Sequence, residues 1–135
     1  MRFHEVAEAF SRLEATTGRY DVLDILAGLL HRAAEDDLDA IVFLAQGQLR
    51  PPYEGVELGF GEKTLLKVLA ETYGRRDAEV LRRLRALGDL GLVAAELAAA
   101  RGPSRLDVTD VYRALLAIAR ESGPGSSERK SAALA

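Results

Sequence analysis

Phe3-His4-Glu5-Val6-Ala7-Glu8-Ala9-Phe10-Ser11-Arg12-Leu13 is the stretch whose reading decides the fold class. Its apolar residues Phe3, Val6, Ala7, Phe10 and Leu13 recur at steps of three and four, which puts them on one face of an α-helix. Gly18 fits the stop. The same period returns along the chain. A second helix is expected over roughly 20–33, with Leu23, Leu26, Leu29 and Leu30 inward. A third is expected over roughly 37–46, with Asp36 as its cap, Asp37 and Asp39 at the positive end of its dipole and Gly47 at its end. Its centre, Ile41-Val42-Phe43-Leu44, is apolar nearly all round and is expected to be buried.

Gly47, Pro51, Pro52, Gly55 and Gly59 break the period and make a long loop over 47–60. Helical spacing resumes from Gly61 to Tyr73 through Leu65, Leu66 and Leu69, and Gly74 stops it. Asp77 is expected to cap a basic helix ending at Gly88, and Asp89 to open another that ends near Ala100. Gly102-Pro103 is a break. Asp107 caps a further helix, with Asp110 at the third position of a box-like pair. Gly123-Pro124-Gly125-Ser126-Ser127 is a sharp loop, and 128–135 begins a last helix. Nowhere is alternation sustained, so no strand is expected. The fold class is all-α, an array of about seven or eight short helices.

The chain has 135 residues, 48% apolar and 29% charged, which suits one domain with a single core. It has no cysteine, so disulfides and cysteine-ligated zinc are excluded. The start carries no apolar signal segment and no run is long enough for a membrane span, so no membrane partner is expected and the expected location is the cytoplasm of a prokaryote. The net charge of −3 argues weakly against nucleic acid. The charge is uneven, however. Residues 1–62 hold 12 acids against 5 arginines, and residues 63–135 hold 9 acids against 13 bases. A basic second half can meet phosphate while the acidic half faces away, although solvated helices often show such asymmetry.

Val6 to Leu13 can be laid on Val111 to Ile118, with apolar residues coinciding at Val6/Val111, Phe10/Leu115 and Leu13/Ile118. Thr17-Gly18 then meets Ser122-Gly123. If this is an internal repeat, its second copy stops partway through its second helix, and the chain is expected to be a fragment of a longer one.

Four segments resemble the N-terminal domain of ATP-dependent DNA ligases of the archaeal and actinobacterial type. They are Phe3-His4-Glu5-Val6-Ala7 through Leu13-Glu14-Ala15-Thr16-Thr17; Leu44-Ala45-Gln46-Gly47 with Pro51-Pro52-Tyr53-Glu54-Gly55-Val56-Glu57-Leu58-Gly59-Phe60-Gly61-Glu62-Lys63; Gly88-Asp89-Leu90-Gly91-Leu92-Val93-Ala94; and Val111-Tyr112 through Ile118-Ala119 followed by Gly123-Pro124-Gly125-Ser126-Ser127-Glu128-Arg129-Lys130. The resemblance covers nearly the whole chain. It implies an all-helical domain of two pseudo-symmetric halves, with 1–105 the first half and 106–135 the start of the second. Such a domain lies along the minor groove of nicked double-stranded DNA, in repair, replication and recombination. An adenylation domain with a Lys-x-Asp-Gly nucleophile would follow, then an OB-fold domain. Lys63, Lys67 and Lys130 are the chain's three lysines, and none is followed by x-Asp-Gly. Catalysis by this chain alone is therefore not expected, and ATP and Mg²⁺ are expected only in the parent ligase. A piece cut from such a domain would expose apolar surface and could self-associate.

Two glycine loops are the candidate DNA contacts. Gly59 and Gly61 flank Phe60 before a helix opening with Glu62-Lys63; Lys63 and Lys67 stand one turn apart and could each neutralise a phosphate. From the residues alone, a plain helix start with solvated lysines, and Phe60 as a core anchor, is the better account of them. Gly125, Ser126 and Ser127 precede Arg129 and Lys130 and could form an anion cradle, or a flexible linker with a serine N-cap. Arg75, Arg76, Arg82, Arg83 and Arg85 form the densest basic cluster and read as a solvated face. His4 and His31 lack metal-ligand spacing, and helix capping accounts for Glu35-Asp36-Asp37-Asp39 better than a metal does. The rival from another class is a helical protein-interaction module that does not bind DNA, suggested by the net negative charge and the acidic first half.

Overall fold

A computed structural model describes residues 1–99, 101–102 and 104–135. Among them the chain forms eight α-helices, α1 (Phe3–Glu14), α2 (Arg19–Arg32), α3 (Glu35–Ala45), α4 (Glu62–Thr72), α5 (Asp77–Leu87), α6 (Leu90–Ala98), α7 (Val108–Arg120) and α8 (Ser126–Leu134), plus a single 3₁₀ turn at Pro52–Glu54. The all-α expectation holds. Among the described residues the only extended pairing is an isolated bridge between Arg2 and Asp107, and no helix is long and apolar enough to cross a membrane. The expected helix end at Ala100 and the break at Pro103 lie outside the described residues.

The helices pack into two compact units interleaved along the chain. The first is Met1–Glu57 with Pro103–Ala117; the second is Leu58–Gly102 with Ile118–Ala135. In the first unit, Val6 and Ala9 of α1, Leu29 of α2, Ala40 and Ile41 of α3 and Val108 of α7 form a buried cluster, edged by Phe3, Phe10, Ile25, Leu44 and Tyr112. Residues 105–108 reach this unit by lying along the chain's start. The Phe3 amide donates to the Leu106 carbonyl at 2.9 Å, the Val108 amide to the Met1 carbonyl at 3.0 Å, and Arg2 pairs with Asp107 at 3.3 Å. Below them the terminal ammonium of Met1 donates to Oδ2 of Asp37 at 2.7 Å. In the second unit Ala70, Val80 and Val93 bring α4, α5 and α6 together, edged by Leu66, Leu69, Leu84, Leu90 and Leu97.

Several local expectations shift by a residue or a face. Asp89 caps α6 as read, its Oδ1 accepting the Leu92 amide at 2.9 Å, and the Asp107 amide donates to Asp110 Oδ2 at 3.2 Å in the expected pair. Asp36 does not cap α3: Ala34 is the N-cap and Asp36 sits in the first turn. Likewise Arg76, not Asp77, is the N-cap of α5. An acid inside the first turn meets the helix dipole as well as one at the cap does, so the charge pattern alone does not fix the boundary. In α2, Leu29 is fully buried, but Leu23 is 54% exposed and Leu30 38% exposed. Ile25 packs on the core in their place. Val42 is 40% exposed, so α3 is not buried all round. Leu13, Val22, Leu26, Leu30, Ile41 and Val42 instead line an open groove of about 440 Å³.

Leu29→Ala is expected to lower stability by about 2–5 kcal/mol, and Leu23→Ala by less than about 0.5 kcal/mol, in urea unfolding followed by circular dichroism. Hydrogen bonding to Asp37 raises the terminal ammonium above its ordinary value of 8.0. A raised folded value means that its contribution to stability is complete below pH 8 and is lost as pH rises through the folded value. The melting temperature should therefore fall over that alkaline range, and Asp37→Asn should flatten this part of the profile.

Candidate nucleic-acid interface

Both glycine loops belong to the second unit, and one side chain joins them. The Lys130 ammonium donates to the Leu58 carbonyl at 3.4 Å, across 72 residues of sequence. It stands 4.0 Å from where a Cβ on Gly59 would lie. Sequence reading treats the Gly59 loop and the Gly125 loop as separate candidates; folding brings them to one place.

The Gly59 loop takes its shape from backbone sterics. Gly59 has φ +71°, in the left-handed region that side chains other than glycine rarely adopt. Gly61 is the N-cap of α4, and no side chain bonds the first amides of that helix. Glu62 follows in the first turn. Phe60 is half-buried. Lys63 and Lys67 are exposed, and neither has an ion pair or hydrogen bond among the described residues.

The Gly125 loop is tied down from within. Gly125, with φ +75°, is the N-cap of α8, so Ser126 and Ser127 are first-turn residues and neither caps by its side chain. The Ser126 amide donates to the Gly123 carbonyl at 3.1 Å. Arg129 turns back over the loop. Its Nε donates to Glu121 Oε1 at 2.7 Å, its Nη1 to the Pro124 carbonyl at 2.9 Å and its Nη2 to the Ser122 carbonyl at 2.9 Å. Nothing in the sequence marks these contacts, because two of the three acceptors are backbone carbonyls.

The arginine cluster divides. Arg83 grips Glu96 with two hydrogen bonds of 2.9 and 2.7 Å, which holds its guanidinium above the ordinary value. Arg75 pairs with Glu79 at 3.4 Å. Arg76, Arg82 and Arg85 are exposed to solvent. Arg101 donates to the Thr72 carbonyl at 2.9 Å and lies over the Tyr73 ring at 4.6 Å. The charge asymmetry survives folding: the first unit holds 13 acids and 7 bases, the second 8 acids and 11 bases.

Exposed cations, uncapped helix starts and loop amides are suited to holding phosphate oxygens and do not read bases. A nucleotide and its magnesium would need a different set. No lysine here has Asp-Gly at the following positions, and no His, Cys, Asp or Glu group among the described residues is placed to hold a metal.

The described residues thus form an all-helical array whose more basic unit gathers two glycine loops and their lysines. The chain matches the family described as DNA ligase N terminus over residues 2–135. It is 37% identical to a DNA ligase of Pyrobaculum arsenaticum, with 99% of this chain and 24% of the relative covered. It is 39% identical to DNA ligase 2 of Thermofilum pendens, covering 93% and 23%, and 38% identical to DNA ligase 1 of Arabidopsis thaliana, covering 93% and 17%. This chain belongs to the DNA ligase N-terminus family. It spans only about a quarter of the length of the archaeal relatives it matches.

Gly125→Ala should cost about 1–2 kcal/mol in urea unfolding, because a side chain at positive φ meets its own backbone. The new Cβ would also lie 3.2 Å from Arg129 Nη1. Gly61→Ala, at φ −83° with open space beside it, should not carry that cost.

Proposed function

We propose that this chain is a sequence-independent DNA-binding module that holds nicked duplex by its phosphate backbone, along the minor groove, for an ATP-dependent DNA ligase. The observation that carries this is the meeting of the two glycine loops at Lys130, in a family whose relatives are named DNA ligases. The exposed Lys63 and Lys67 and the basic excess of the second unit support it. Backbone binding suits the task, since nicks occur in any sequence. The joining chemistry, with ATP and Mg²⁺, is assigned to the remainder of a parent ligase at work in repair, replication and recombination in a prokaryotic cytoplasm.

A second reading has its own observation. The open apolar groove of the acidic first unit, with Leu23 and Val42 exposed nearby, suits contact with another protein or with a second copy of this chain.

Fluorescence anisotropy of labelled nicked duplex across a salt series separates the two. The expected result is binding that weakens steeply with salt, by a slope of about −0.9 for each phosphate neutralised. Lys63→Gln and Lys67→Gln should each reduce that slope by about one and weaken all sequences alike. A folded chain silent toward nicked duplex even at low salt overturns the DNA reading, and sedimentation showing self-association would then favour the second.

A further inference from the structure

Arg129 looks, by sequence, like a cation waiting for a phosphate. Its surroundings give it another task. A guanidinium carries five N–H donors in a rigid planar fork. Here each of its three nitrogens already donates to the protein: to Glu121 Oε1, to the Pro124 carbonyl and to the Ser122 carbonyl. The two carbonyls matter most. In a trans peptide the C=O and the following N–H point in opposite directions, and no peptide bond among the described residues is cis. Turning the Ser122 and Pro124 carbonyls toward Arg129 therefore turns the amides of Gly123 and Gly125 away from it. Both glycines are exposed and have positive φ. Neither amide has a hydrogen-bond partner among the described residues. Carbonyl oxygens that would repel an anion are drawn inward, and amides that would attract one face outward, next to the uncapped start of α8.

We propose that Arg129 is a positioning residue: with Glu121 it sets the 121–125 loop so that the Gly123 and Gly125 amides, rather than its own guanidinium, meet a DNA phosphate. This rests on the DNA-binding reading above. Glu121 acts on binding only through Arg129, which makes the inference unusual for an acid in a DNA-binding surface. Removing this negative charge should weaken binding.

The test uses the full chain and labelled nicked duplex at fixed low salt, below the melting temperature of every variant. Glu128→Gln, at an exposed acid in the first turn of α8 without a partner among the described residues, reports what the loss of one negative charge does by itself. Relative to that control, Glu121→Gln should bind at least about threefold more weakly, and its effect should not add to that of Arg129→Gln. Arg129→Lys keeps the charge but loses the fork, and should bind like Arg129→Gln. If Arg129 contacted phosphate directly, Glu121→Gln would release it and tighten binding, and Arg129→Lys would keep most of the affinity. Either result overturns the inference while the DNA reading stands. Arg129 variants that melt lower but bind as the wild type does would reduce the clamp to a stabiliser, and would also overturn it. A wild-type chain without salt-dependent binding would bring down the DNA reading first, and this inference with it.

Discussion

The first unit depends on a contact between residues a hundred positions apart. The Phe3 amide meets the Leu106 carbonyl and the Val108 amide meets the Met1 carbonyl, so the segment leading into α7 is laid along the start of α1. Without that strap Val108 would not enter the cluster of Val6, Leu29 and Ile41. Tyr112, one turn further on, would not stack on Phe43 at 6.3 Å or donate to the Leu49 carbonyl. That last bond pins the entrance of the long loop, where Arg50 closes the 3₁₀ turn by gripping Glu54 with bonds of 2.8 and 2.9 Å. A loop of such span costs conformational entropy to close, and the buried valine and half-buried tyrosine offset it.

The second unit is organised differently. Its core of alanine and valine is small, and polar ties around it do much of the fixing: Arg83 to Glu96, Arg101 to Thr72, Arg129 to its loop and Lys130 to Leu58. Because many of its cations are committed in this way, a count of basic residues overstates what is left for a ligand. Lys63 and Lys67 are exposed on α4, where the preceding glycines leave the helix start open. An overall negative chain and a surface suited to phosphate are thus compatible.

Much of the fold was legible because helices announce themselves by period. All eight helices were expected near their observed places, and Asp89 and Asp107 marked their starts. Where two apolar stripes compete on one helix, period does not choose between them. In α2, Ile25 and Leu29 pack on the core, Val22, Leu26 and Leu30 line the open groove, and Leu23 is exposed. Caps one residue from an acid were misplaced for a related reason, since Asp36 and Asp77 serve the dipole from inside the first turn. The candidate site was legible as a set of residue types and not as an arrangement. No feature of Leu58 says that Lys130 will reach its carbonyl, and Ser122 and Pro124 attract Arg129 through backbone atoms that every residue possesses.

The interleaving of the two units has an evolutionary corollary. The chain leaves the first unit near Glu57, returns near Pro103 and leaves again within α7 after Ala117. No single cut in the gene separates one unit from the other: a break at any of those points leaves at least one piece that holds parts of both. Recombination can therefore pass this stretch between proteins as a whole but cannot shuffle its acidic and basic parts independently. Their opposite charges are bound to be inherited together.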